Sequence, residues 1–126
     1  MAGTVEQKLS AQGIVLNDPR SPMANYVGFV RTGNLLFVSG QVCANAEGKL
    51  IAKGKLGAGV TIEQGAAAAQ GCAVNLLAQI KAALGDLDKD GDLDLVIGQA
   101  NGAIAHYRND GSARSPRFVL VAEQLD

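Results

Sequence analysis

Tryptophan is absent from this chain of 126 residues, histidine occurs once, cysteine twice and proline three times, and aromatic residues make up only 4%. Each scarcity excludes something. Cys43 and Cys72 stand alone without C-x-x-C spacing, so a disulfide scaffold or a zinc cluster is not expected, and both read as buried thiols. His106, in a predicted strand beside Tyr107, has no Asp or Ser at a triad-like spacing. Charge of one sign is also missing. Lys+Arg 11 against Asp+Glu 12 leaves a net charge of -1, without the positive field that a phosphate backbone needs, so nucleic acid is not an expected partner. No apolar run approaches the roughly 20 residues that span a bilayer. The opening Met1-Ala2-Gly3-Thr4-Val5-Glu6 lacks the basic and apolar regions of a signal peptide. A cytoplasmic protein without membrane contact is the expectation.

What is present is a 48% hydrophobic chain with 16 glycines, enough for one domain, or one domain and a fragment, with many turns. Residues 1–24 are mixed, and Asn17-Asp18-Pro19-Arg20-Ser21-Pro22 reads as a turn or extended segment, so the packed fold is expected to begin after Pro22. Two β-rich stretches, 25–31 and 35–39, flank Thr32-Gly33-Asn34 and predict a hairpin. An extended segment at 41–44 leads into the turn Asn45-Ala46-Glu47-Gly48-Lys49, with Leu50 to Ala52 as a short edge strand. Thr61 and Gln64 have the spacing of a capping box, and Ala69, Ala73, Leu76, Leu77, Ile80 and Leu84 recur at three and four, which predicts a helix over 62–84 ended by Gly85. Gly65 and Gly71 inside that helix are read as places where it lies close to a sheet. Short strands follow at 95–97, 103–107 and 118–122. Gly54, Gly57 and Gly59 are not followed by the Lys-Ser/Thr of a phosphate loop.

The segment after Gly85 places five carboxylates, Asp86, Asp88, Asp90, Asp92 and Asp94, in nine residues. Asp86, Asp88, Asp90, Gly91 and Asp94 fit D-x-D-x-D-G-x-x-D, the oxygen ligands and sharp bend with which a short loop wraps a hard cation. Ca2+ is therefore a candidate ligand of the five aspartates. Ile97 stands where an EF-hand carries its bidentate Glu, and strands flank the loop, so an EF-hand is disfavoured.

Residues 22–85 resemble the Rid (YjgF-like) family of imine and enamine deaminases. The resemblance is carried by Asn25-Tyr26-Val27, by Arg31-Thr32-Gly33-Asn34-Leu35-Leu36-Phe37-Val38-Ser39-Gly40-Gln41 and by the helix end from Asn75 to Gly85. It implies an α+β, chorismate-mutase-like sheet with one long packed helix, a homotrimer, and small-molecule ligand sites between subunits that need no cofactor. It maps the ligand site onto Tyr26 and Ser39, with Gly40 and Gln41 of the same motif, and Cys43 follows close enough to line the same cleft. The family's later segment supplies an arginine for a substrate carboxylate and, in deaminating members, a glutamate that positions water. Ala113-Arg114-Ser115 is similar to that arginine strand, making Arg114 the catalytic candidate, whereas Glu123 is too close to Arg114 to match the glutamate. Small 2-keto or imino acids are the implied ligands.

Residues 86–125 resemble instead a single FG-GAP or VCBS repeat, through the aspartate loop, Leu95-Val96-Ile97-Gly98, Tyr107-Arg108-Asn109-Asp110-Gly111 and Pro116 to Val121. The expectation is thus a chimera-like chain: a Rid-like portion over 1–85 and an antiparallel β segment over 86–126, with its joining to the first sheet left open by the sequence. The alternatives are a calcium-organised structural or interaction module, or a fusion without catalytic activity. With one helix, a flank of the sheet should stay uncovered.

Overall fold

The computed structural model describes residues 3–88, 94–98, 104–110 and 117–124. The order of elements is α1 (Thr4–Ala11), β1 (Phe29–Thr32), β2 (Leu35–Val38), β3 (Lys55–Leu56), β4 (Gly59–Val60), α2 (Ile62–Leu84), β5 (Asp94–Gly98), β6 (Ile104–Asn109) and β7 (Phe118–Gln124). The fold is α+β. A five-stranded mixed sheet runs β1-β2-β5-β6-β7, and β3 and β4 form a separate two-stranded ladder.

The hairpin forms where the turn residues allow it. Gly33, at φ +53°, takes the left-handed position, and Thr32 then pairs with Leu35 and Phe29 with Val38. On its other side β2 pairs with β5 in parallel, Leu35 against Asp94 and Val38 against Ile97. Adjacent parallel strands need a long crossover, and α2 provides it. The strands after residue 85 therefore extend the same sheet that the hairpin begins, with β6 and β7 added antiparallel and a bulge between His106 and Tyr107.

The helix has the predicted bounds and both predicted ends. The Gln64 backbone N–H donates to Thr61 Oγ1 and the Thr61 N–H donates to Gln64 Oε1, while Gly85, at φ +80°, closes the C-terminus with its N–H on the Lys81 carbonyl. Its buried face differs from the predicted stripe. Ala69 and Ala73 are exposed, whereas Ala78 and Gln79 are buried, because only the C-terminal half lies on the sheet. Gly65 and Gly71 permit close approach, yet to the 43–56 segment: a β-carbon on Gly65 would strike Leu56, and one on Gly71 would strike Ile51 and approach Cys43. The other half of the helix thus carries a loop.

Alternation along β2 shows how the core is split. Leu36 and Val38 are 2% exposed and Phe37 between them is 40% exposed, so one face lies under α2 and the other does not. A helix is roughly 10 Å across and strands are ~4.8 Å apart, so one helix covers about two strands. Here they are β1 and β2. Phe118, Val119, Leu120 and Val121 on β7 remain exposed, the uncovered flank expected from the helix count.

Four sequence expectations need correction, the first being the β-rich stretch from 25, which pairs as a strand only over Phe29–Thr32. The packed fold does not begin after Pro22: α1 docks against the 86–88 segment, where Val5 N–H donates to Asp88 and Leu87 N–H donates to Glu6. Leu50 to Ala52 is no strand but a single bridge, Leu50 to Ala44. The β3–β4 ladder, in a glycine-rich stretch with positive φ at Gly54, Gly57 and Gly59, was not foreseen because its strands are too short for alternation to show. Removing the reciprocal cap by Thr61→Ala should lower stability by about 1 kcal/mol in chemical denaturation without changing the m-value, since one helix-end N–H loses its acceptor.

Candidate functional site

A pocket of about 680 Å³ opens between the 20–28 segment, the 40–50 loop and α2. Tyr26, Gly40 and Gln41 all line it, so the structure brings together three of the residues singled out from sequence. Gln41 Nε2 donates to the carbonyls of Ser39 (3.1 Å) and Gly40 (3.3 Å), which folds the loop back on itself beneath the pocket. Tyr26 is half-exposed at the mouth.

Ser39 and Cys43 are placed elsewhere. Ser39 Oγ donates to the Val27 carbonyl at 2.6 Å and its N–H donates to the Gly28 carbonyl at 2.9 Å, so the serine clamps the segment that carries Tyr26. Its other surroundings are Phe37, Val38 and Val96, in a shallow groove on the open side of the sheet. Cys43 Sγ donates to the Ala52 carbonyl at 3.3 Å. Both cysteines are half-buried, not buried as expected, and burial, with the nearby Cys43 second, pushes the Cys72 thiol above its ordinary value. Arg114 lies outside the described residues.

Sequence reasoning missed the polar groups that shape this pocket. Asn75 Nδ2 donates to the Val42 and Ala44 carbonyls, each at 2.9 Å, and so holds the 40–44 loop against α2. One turn further, Gln79 is 3% exposed and its Nε2 donates to the Arg20 carbonyl at 3.1 Å. Gln79 Oε1 occupies the space where a β-carbon on residue 28 would stand, so Gly28 is required by the buried amide. Two amides four residues apart on an otherwise Ala- and Leu-rich helix were the available signal. Arg20, also on the pocket wall, gave none, sitting in a segment that reads as a turn.

A second cluster lies where α1 meets the end of α2. Carboxylate oxygens of Glu6, Asp86 and Asp88 come within 4.8 Å of one another. Two of the predicted metal ligands are thus joined by Glu6, some 80 positions upstream and invisible to a loop pattern. Val5 N–H donates to Asp88 Oδ1 (3.1 Å), Leu87 N–H to Glu6 Oε1 (3.1 Å) and Asp88 N–H to Asp86 Oδ1 (2.8 Å). Glu6 Oε2 is buried and has no partner among the described residues. Asp90 and Asp92 lie outside the described residues, and Asp94 is placed by its backbone at the start of β5.

Comparison with known proteins bears on both halves of the chain. The family model described as "YjgF/chorismate_mutase-like, putative endoribonuclease" matches residues 6–112. The chain belongs to this family. The match to the YjgF/chorismate-mutase-like family begins in α1 and runs through β6, across the Gly85–Asp86 junction at which two resemblances meet in the sequence. A curated relative, Protein TCP17 of Trypanosoma cruzi, is 43% identical over 88 residues, which is 70% of this chain and 54% of that protein. Among solved structures, protein Atu1372 of Agrobacterium tumefaciens, described as of unknown function, is 45% identical with a TM-score of 0.58, covering 68% of this chain and 51% of that one. A structure from Shewanella oneidensis MR-1 described as "a putative endoribonuclease" is 36% identical with a TM-score of 0.65, covering 69% and 57%. The chain therefore spans about half the length of these relatives. Among the described residues, no helix is long and apolar enough to cross a membrane.

Within this YjgF-like pocket, Gly28→Ala should displace the Gln79 amide and leave a buried polar group without its partner. We expect a loss of roughly 1–3 kcal/mol in denaturant unfolding. A Gly28→Ala protein as stable as the parent would show that Gln79 is not held as described.

Proposed function

We propose that the chain is a Rid-like small-molecule module that takes small 2-keto or imino acids in the pocket beside α2. The observation that carries this reading is the convergence of Tyr26, Gly40 and Gln41 on one pocket with the helix amides of Asn75 and Gln79. Apolar walls with a few oriented polar groups are the usual makings of a small-molecule site. Hydrolysis of an imine requires water to attack the C=N carbon, after which ammonia leaves and a carbonyl remains, and the water must be held by a base. No Asp or Glu lines the pocket among the described residues. Binding is therefore the primary activity we assign, with deamination as the activity to be tested against it. An RNA-cleaving role, suggested by the family description, finds less support in a net charge of -1. Assembly as a homotrimer, with the uncovered apolar sheet surface buried between subunits, belongs to the same reading.

Calorimetric titration with 2-oxobutyrate should give saturable binding that Tyr26→Ala weakens roughly tenfold, equivalent to ~1.4 kcal/mol of lost contact. Ammonia release from an imine generated in situ should stay at the rate of buffer alone. Absence of binding in the parent protein would sink the reading, and release above buffer would make the chain a deaminase.

The buried, unpartnered Glu6 Oε2 favours a second ligand, Ca2+, held by Glu6, Asp86 and Asp88 and joining α1 to the aspartate loop. Calcium at 100 times its dissociation constant should then stabilise the fold by ~2.7 kcal/mol. That gain should vanish in Glu6→Gln, and a melting temperature equal in calcium and in chelator would refute the site.

A further inference from the structure

Arg20 is fixed at both ends. Its carbonyl accepts a hydrogen bond from Gln79 Nε2 at 3.1 Å, from a side chain only 3% exposed, so the backbone of the residue is tied to the interior of the protein. At the far end, Nη2 donates to the carbonyls of Asn45 (2.9 Å) and Ala46 (2.6 Å), in the turn across the pocket. Nη1 lies over Gly48, where a β-carbon would come within 2.7 Å of it, so the glycine, at φ +86°, leaves the guanidinium room to lie flat on the turn. A long, flexible side chain has in this way already lost much of its freedom before any ligand arrives, which lowers the entropy cost of binding.

The guanidinium has no ion-pair partner among the described residues, although Glu47 belongs to the same turn. Carbonyl dipoles orient a guanidinium without cancelling its unit charge, and among the described residues Arg20 makes no ion pair and its Nε and Nη1 make no hydrogen bond. The pocket wall that Arg20 shares with Met23, Tyr26 and Leu50 is mainly apolar and holds no Asp or Glu. Arg20 is exposed, so water screens its charge, and the apolar wall strengthens its pull on an anion only where a bound ligand displaces that water. Both protons of Nη2 are occupied by the turn, which closes the two-pronged edge of the guanidinium and leaves Nε–H and Nη1–H for single-oxygen contacts.

We propose that Arg20 is the anion anchor of the pocket, receiving the carboxylate of a small organic acid whose apolar part rests on Met23, Tyr26 and Leu50. This assignment rests on the reading of the pocket as a small-molecule site. It gives to Arg20 the role that the sequence resemblance implies for Arg114, and it makes ligand charge, more than ligand shape, the basis of selection.

The test compares 2-oxobutyrate with its neutral amide by calorimetry on the parent protein and on Arg20→Gln. The parent should bind the acid at least tenfold more tightly than the amide, and Arg20→Gln should bind the two alike. Since Arg20 also pins the 45–48 turn, a second measurement uses the unaltered protein. Phenylglyoxal, which modifies exposed guanidinium groups, is added with and without each compound, and Arg20 is followed by peptide mass. Protection by saturating acid and not by amide supports the anchor. Equal binding of acid and amide by the parent, a preference for acid that survives Arg20→Gln, or modification of Arg20 unaffected by bound acid would each overturn it while leaving the pocket as a binding site. Binding of neither compound would remove the pocket reading and the anchor with it.

Discussion

The parallel pairing of β2 with β5 is the constraint on which the rest of the molecule depends. Two neighbouring strands running the same way cannot be joined by a tight turn, so the chain must cross the sheet between them. That crossing is α2, and its 23 residues decide which strands are covered, where the 43–56 segment can rest and where a pocket is left. Leu36 and Val38 are buried because α2 lies on β1 and β2.

The pocket exists because the crossover helix is not wholly apolar on its inner side. Asn75 and Gln79 donate to three backbone carbonyls of segments that have no regular ladder, Val42, Ala44 and Arg20. Irregular backbone next to a helix would otherwise strand polar groups away from water, at a cost comparable to a lost hydrogen bond each. The two amides thus do for the loops what a neighbouring strand does within a sheet. They also hold those loops away from the helix surface, and the space between is the pocket.

The local signals in the sequence were strong where one residue's chemistry decides the geometry. The Thr61–Gln64 cap, the left-handed Gly85 and Gly33 and the β-rich run Leu35-Leu36-Phe37-Val38 made α2, the hairpin and the inner strand legible. The three strands after residue 85 were also legible as strands, but their partners were not, because pairing is a long-range property and a local pattern resembling a repeat pointed away from the first sheet. Tyr26, Gly40 and Gln41, but not Ser39 and Cys43, could be placed on one pocket from a family motif. Arg20 and Gln79 could not, since their contact joins residues 59 apart and neither stands in a recognisable pattern. The same holds for Glu6, whose acidic neighbours lie at the other end of the helical crossover.

The latch between α1 and the 86–88 segment bears on the order of events during synthesis. The bonds from Val5 to Asp88 and from Leu87 to Glu6 join residues 83 and 81 positions apart. An eight-residue helix is too short to persist alone in water, and loop closure over such a span is slow. As the chain leaves the ribosome, α1 emerges before α2, and these bonds cannot form until α2 and the turn beyond it have been made. Its docking therefore waits on the synthesis of the segment that follows the crossover helix.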